Sequence, residues 1–231
     1  MDRILDRALT RRPRGVSRLR TTADLHAAVI RLARADPRLG RVVARYGPPP
    51  LWDREPGFST LVRIILEQQV SLASAGAAYD RLAAETAVDP DGVLSLDDAT
   101  LRRVGFSRQK AAYVRALAQE IRRGEFDPQV LGERSDADAR QLLLARKGLG
   151  AWSADIYLLM ALGRTDIWPS GDLALAVAVQ RVCRLRARPD GMAMERIAER
   201  WRPWRAVAAR ILWHYYLSDR ANWARSRTVR I

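Results

Sequence analysis

The sequence predicts an all-α protein. Apolar residues recur at three- and four-residue spacing along nearly the whole chain. Residues suited to cap helices stand ahead of most of these stretches. No run of strict apolar–polar alternation marks a strand. With 231 residues, 48% of them hydrophobic, the chain holds apolar material for one sizeable core or two small subdomains.

The elements follow in order. Thr22 is placed to cap a helix through Ala23–Ala35, where Leu25, Val29, Ile30 and Leu32 are spaced near 3.6 residues. Gly47-Pro48-Pro49-Pro50 breaks the chain, and Phe58–Gln68 resumes as helix. Ser71 suits the N-cap of a helix reaching about Ala84, and Ser107 that of one reaching about Arg122. Ser95 with Asp98 and Ser135 with Asp138 have capping-box spacing, with Asp where Glu or Gln is preferred. An apolar helix then enters the turn Lys147-Gly148-Leu149-Gly150, and a second helix leaves it at once. A loop from Thr165 to Gly171 delivers Asp172 to the start of a third. The last helices are expected from about Gly191 to Trp201 and from Pro203, suited to a first helical position, to about Leu217.

Composition narrows the function. The net charge is +14, and Lys110 and Lys147 are the only lysines among 40 basic residues. GC-rich coding also produces arginine excess, but the sign of the charge favours a polyanionic partner, DNA or RNA. Cys183 is the only cysteine, which excludes an internal disulfide framework and a four-cysteine iron–sulfur cluster. His26 and His214 are the only histidines, so a His/Cys metal site or a Ser-His-Asp triad has little support. The first twenty residues carry seven arginines and no apolar signal core, which predicts a basic arm over 1–20 and a cytoplasmic protein. No apolar run is long enough to span a bilayer, so no membrane partner is expected.

Four constellations carry candidate chemistry. The turn at 147–150 has the pattern of a helix-hairpin-helix. Its glycines permit positive φ and close backbone approach, and the N-terminus of the second helix offers N–H groups to a phosphate. Lys147, Gly148, Gly150 and Ala151 are the candidate phosphate contacts; a plain corner between helices is the alternative. An Asp at a helix start, such as Asp172, is most often just an N-cap, but that role does not exclude a catalytic one, since a capping Asp is rigid and its charge suits the helix dipole. Breaking a nucleoside's glycosidic bond builds positive charge on the sugar, which a fixed carboxylate stabilises. Trp152, Tyr157, Trp168 and Trp213 read either as core or as a pocket that stacks on an extruded base. A cationic base gains roughly 0.5–2 kcal/mol over such faces. Gln68 and Gln69, at a helix end, read as a solvated terminus or as a wedge filling the gap of a flipped nucleotide. Val104–Ala111 echoes the hairpin, and a second phosphate clamp at Gly105–Lys110 or an ordinary helix–helix corner are both open.

Five blocks in order resemble the 3-methyladenine DNA glycosylase II group of the helix-hairpin-helix glycosylase superfamily: FSTLVRIILEQQVS (58–71), GFSRQKAAYVRALA (105–118), KGLGAWSAD (147–155), LGRTDIWPSGDLAL (162–175) and WRPWRAVAARILW (201–213). The resemblance covers roughly Pro48 to Leu217. It implies two helical subdomains with a cleft between them, one over about 70–163 and the other from 21–69 plus 164–231. Asp172 falls on the family's catalytic aspartate, Gln69 on the residue that plugs the DNA stack, and Trp152 and Trp213 on pocket aromatics. The backbone carbonyls of Leu144, Arg146 and Leu149 fall on those that hold a monovalent cation, Na+ or K+; no other cofactor is implied. Relatives that also nick DNA carry a Schiff-base lysine two residues after the hairpin's second glycine, where this chain has Trp152. The resemblance therefore implies a monofunctional enzyme that leaves an abasic site. Against the larger bacterial enzyme, the chain has too few residues before Phe58 for its N-terminal β-domain. Ile156 also stands where an aromatic pocket residue is expected.

The leading expectation is a monomeric enzyme excising alkylated purines, 3-methyladenine and 7-methylguanine, from damaged double-stranded DNA at the bacterial nucleoid. A glycosylase for uracil, hypoxanthine or an etheno-base, and a non-catalytic damage-binding repair scaffold, are the alternatives. A helix-turn-helix regulator is weaker, because nothing resembles a base-reading helix.

Overall fold

The computed structural model describes residues 18–228, with side chains as far as Asp219. Among these residues the chain is helical, and the one extended pairing is an isolated antiparallel bridge between Arg18 and Arg164. In order the helices are α1 (Thr22–Ala35), α2 (Pro37–Tyr46), α3 (Phe58–Glu67), α4 (Leu72–Glu85), α5 (Pro90–Ser95), α6 (Asp98–Val104), α7 (Arg108–Arg122), α8 (Asp136–Leu144), α9 (Ala151–Met160), α10 (Leu173–Val182), α11 (Gly191–Ala198) and α12 (Arg205–Thr228). Short 3-10 turns occupy Pro128–Glu133 and Glu199–Trp201. Among the described residues no helix is long and apolar enough to cross a membrane.

Side-chain caps at Ser71, Ser107 and Ser135 start α4, α7 and α8 where the sequence places them. Three caps differ. Thr21, not Thr22, caps α1, because only Thr21 has an acid three residues on: the Thr21 hydroxyl accepts the Asp24 N–H at 3.1 Å while Asp24 accepts the Thr21 N–H at 3.0 Å. Asp97 caps α6 by accepting the Thr100 N–H, and Ser95 instead ends α5 with its hydroxyl donating to the Gly92 carbonyl. Pro203 is not the first helical residue, since α12 starts at Arg205. The sequence reading missed α2, which opens with Pro37 directly behind the end of α1.

The chain divides into two compact units, one of residues up to Trp52 together with Gly163 onward, the other Asp53–Leu162. The boundary falls ahead of the expected position near residue 69 because α3 buries Leu61, Val62, Ile64, Ile65 and Leu66 and packs on α4, α7 and α9. A helix buried on nearly all faces cannot belong to another unit. In the same unit α5 packs on α7 and α8 on α9. In the other, which we call the carboxylate unit, α12 packs on α1, α2 and α10 and buries Val207, Ala208, Ile211 and Leu212. Of the expected basic arm, residues 1–17 lie outside the described residues. Its end is tied down: Leu19 is buried and its N–H donates to the Gly163 carbonyl at 2.7 Å.

Asp36 joins three elements of the carboxylate unit. It ends α1, caps α2 by accepting the Arg38 N–H at 2.9 Å, and accepts the Trp201 indole N–H at 2.9 Å. Burial acts to raise its pKa, but the hydrogen bonds from Trp201 and Arg38 outweigh this and hold it below the usual carboxylate value. A lowered folded-state pKa stabilises the protein above the unfolded pKa and ceases to as pH falls through the folded one. Asp36→Ala is expected to cost about 2–4 kcal/mol in urea unfolding at pH 7, from the lost cap and the orphaned buried indole. The difference from wild type should shrink at pH values below 3.8.

Candidate active site

The carboxylate unit places Asp172 at the N-cap of α10, where Oδ1 accepts the Leu175 N–H at 2.7 Å. The same oxygen accepts the Trp213 indole N–H at 3.1 Å, from α12. The sequence pair Asp172 and Trp213 is thus brought together, and Asp172 is half-buried. The loop before it is short and stapled. Asp172 N–H donates to the Pro169 carbonyl at 2.9 Å, and the Ala206 N–H donates to the Thr165 carbonyl at 3.0 Å. Asp166 accepts from Arg205 Nε and Arg202 Nη1, both at 2.8 Å, and Arg205 also donates to the Asp166 carbonyl at 2.8 Å. Sequence reading missed this staple: Asp166 lies within the block 162–175, but its partners are 36 and 39 residues on and no local pattern pairs them.

Two of the expected pocket aromatics are core residues instead. Trp168 is buried, its ring 5.3 Å from that of Trp201. Tyr157, in the other unit, is fully buried. Its hydroxyl accepts the Gly57 N–H at 2.9 Å, and burial pushes its pKa up to about 12. Tyr157 packs because it lies on α9, an apolar helix buried from Ser153 to Leu159, and Trp168 because the loop before α10 turns its ring onto Trp201. Trp152 remains half-buried at the start of α9, and Ile156 is buried.

The unit Asp53–Leu162 builds the hairpin between α8 and α9. Gly148 sits at φ +89°, and a Cβ there would lie 2.3 Å from the Tyr113 ring, so only glycine fits. Gly150 is different: it has φ −87°, it is exposed, and a Cβ would meet nothing within 4 Å. No side chain caps α9, and Gly150, Ala151 and Lys147 are all exposed. An uncapped helix start with an open glycine is suited to an anion. Arg140 braces the hairpin through Asp155, which is buried, at 2.7 Å. The Arg146 guanidinium pairs with Glu120 at 2.8 Å and lies over Phe126. That turns its side chain away to these partners, while its carbonyl accepts the Leu149 N–H at 3.1 Å.

Gln68 and Gln69 part company. Gln69 is exposed at φ +59°, followed by exposed Val70 and Leu72. Gln68 turns inward, its Nε2 donating to the Gly148 carbonyl at 2.8 Å and the Ser153 hydroxyl at 3.0 Å. It is therefore a hydrogen-bonded brace of the hairpin, not part of an exposed wedge. Glu67 before it is buried and accepts both ends of the Arg54 fork, at 2.8 and 2.9 Å. Gly105, at φ +114°, ends α6, and Ser107 caps α7. The Gly105–Lys110 echo is thus a helix–helix corner. The Lys110 ammonium donates to the Leu66 and Gln68 carbonyls at 2.7 and 2.8 Å rather than projecting to solvent.

These glycines separate fold from function. Gly148→Ala should lose about 2–4 kcal/mol of unfolding free energy through its positive φ and the Tyr113 ring. Gly150→Ala should stay within about 0.5 kcal/mol of wild type, as a surface change without a clash. A large loss in the second variant would contradict the open space described at Gly150.

Comparison with known proteins places these features. Residues 62–203 match the family described as HhH-GPD superfamily base excision DNA repair protein. DNA-3-methyladenine glycosylase 1 of Schizosaccharomyces pombe is 26% identical over 181 residues, covering 76% of this chain and 79% of that protein. The probable bifunctional transcriptional activator/DNA repair enzyme AlkA of Mycobacterium tuberculosis is 32% identical over 217 residues, 85% of this chain but 42% of that protein. Among solved structures, S. pombe 3-methyladenine DNA glycosylase (Mag1) in complex with abasic DNA superposes with a TM-score of 0.74 at 25% identity, covering 81% of this chain and 95% of that one. The chain belongs to the HhH-GPD superfamily of base excision DNA repair proteins.

Proposed function

We propose that the chain is a monomeric, monofunctional glycosylase that hydrolyses the N-glycosidic bond of alkylated purines, 3-methyladenine and 7-methylguanine, in duplex DNA. The observation that carries this reading is the Asp172 carboxylate, fixed by the Leu175 amide and the Trp213 indole. The names of the similar proteins support the substrate class. An alkylated purine carries positive charge and leaves readily. The C1′–N bond breaks with its electron pair going to the base, and Asp172 stabilises the cationic sugar. Water then bonds to C1′ and gives up its proton to the carboxylate or to solvent, leaving an abasic site.

The remaining groups position the substrate. Gln69, exposed beside Val70 and Leu72, fills the stack after the base leaves it. In the hairpin unit Lys147, Gly148, Gly150 and Ala151 receive a backbone phosphate, with Trp152 beside them at the start of α9; in the carboxylate unit Trp213, bonded to Asp172, faces the base. The carbonyls of Leu144, Arg146 and Leu149 are three neutral hard donors, suited to Na+ or K+. Such an ion would add positive charge beside the phosphate. No step in the reaction runs through it.

The absence of strand cleavage follows from the lysines. Trp152 stands at the position expected for a Schiff-base lysine, and Lys110 is engaged by two carbonyls in a partly buried setting. Wild-type protein should release 7-methylguanine from a duplex and leave an abasic strand that breaks only on alkali treatment. Borohydride should trap no covalent adduct; trapping would contradict the monofunctional reading. Asp172→Asn keeps an oxygen able to accept both hydrogen bonds but removes the charge. It should bind the duplex as wild type does while base release falls by about 100-fold or more. Release that persists in this variant would overturn the role given to Asp172.

A further inference from the structure

Adjacent glutamines at 68 and 69 have opposite fates, and Lys110 holds the backbone where they diverge. At the end of α3 the carbonyls of Leu66 and Gln68 point to one ammonium, Lys110 Nζ, at 2.7 and 2.8 Å. A cation there is favoured by the partial negative charge of a helix C-terminus. The first of the three residues between this clamp and α4 is Gln69, in the left-handed region at φ +59°. A non-glycine residue is strained there and persists only when its surroundings impose it. They do so from both sides. Lys110 holds the carbonyl of Gln68, and the Gln68 side chain reaches the Gly148 carbonyl and the Ser153 hydroxyl of the hairpin. On the far side Ser71 starts α4 by accepting the Ser74 N–H at 3.1 Å. Lys110 is itself aimed by the corner before it: Gly105 ends α6, the Ser107 hydroxyl caps α7 at the Lys110 N–H, and α7 packs on α3. Burial lowers the Lys110 pKa, as expected for an ammonium turned inward.

We propose that Lys110 and Gln68 form a clamp that presents Gln69 as a rigid wedge and ties it to the hairpin turn, making Lys110 a positioning residue for base extrusion. This rests on the reading of Gln69 as the wedge. A preset wedge does not have to be ordered during flipping, so its ordering cost is not charged against extrusion. The clamp also ties the wedge loop to the hairpin by hydrogen bonds, so a phosphate held at the turn fixes where the wedge enters the duplex.

The test uses the full chain at saturating concentration on a duplex with 2-aminopurine beside a 7-methylguanine. Its fluorescence rise reports unstacking before chemistry, and single-turnover release is followed on the same duplex. Gln69→Ala should reduce the rise and slow release. Lys110→Met should slow release about tenfold, the scale of losing one charged hydrogen bond, with a matching loss of the fluorescence rise. Lys110→Arg should restore most of both. Combined with Gln69→Ala, Lys110→Met should add nothing, because both act on one wedge. If Lys110→Met fails to fold, Gln68→Ala carries the same test from the other end of the clamp. A normal fluorescence rise in folded Lys110→Met or Gln68→Ala, with Gln69→Ala defective, overturns the clamp and leaves the wedge. A normal rise in Gln69→Ala overturns the wedge, and the clamp with it.

Discussion

Two hydrogen bonds on a single oxygen, from the Leu175 amide and the Trp213 indole, set the orientation of the Asp172 carboxylate. The elements around it make those bonds available. The amide exists because α10 begins at Leu173, and the indole because α12 packs along α10. The loop leading in is fixed before it reaches Asp172, by the Asp166 staple to Arg202 and Arg205. Under the role proposed for Asp172, orientation in advance is an advantage, since reorganising a carboxylate during the reaction would add to the barrier.

The hairpin unit follows the same logic with different groups. Three of its arginines are committed to partners: Arg54 to Glu67, Arg140 to Asp155 and Arg146 to Glu120. Charge with a positioning task is turned inward, whereas Lys147 stays exposed. The +14 net charge is therefore no simple measure of a DNA-binding face, because part of the basic set holds helices and turns in place. Exposed cations contribute attraction to a polyanion; buried ones decide where backbone groups and side chains point.

What the sequence made legible was local. Ser71, Ser107 and Ser135 announce helix starts because a cap and the N–H it accepts lie within three residues. The hairpin and Asp172 were legible for the same reason, as was the all-α class. Neighbours of like chemistry defeated the reading. Thr21 and Thr22, Ser95 and Asp97, and Gln68 and Gln69 are told apart only by a partner's exact register or by a backbone angle. Tyr157 on its helix and Trp168 in its loop have the residue type of pocket aromatics, and burial alone separates them from a pocket. The Lys110 contacts reach across 42 and 44 residues, and the unit boundary rests on the packing of α3 against later helices; no local pattern encodes either.

The central claim is that Asp172 acts by charge on a developing sugar cation. The most direct measurement is binding of the wild-type chain to two duplexes that differ at one sugar, a cationic pyrrolidine and a neutral tetrahydrofuran. A carboxylate complementary to the transition state should favour the cation by at least about tenfold, and Asp172→Asn should abolish that preference while leaving affinity for the neutral sugar unchanged. Equal binding of both sugars by wild type, or a preference that survives the substitution, would contradict the claim.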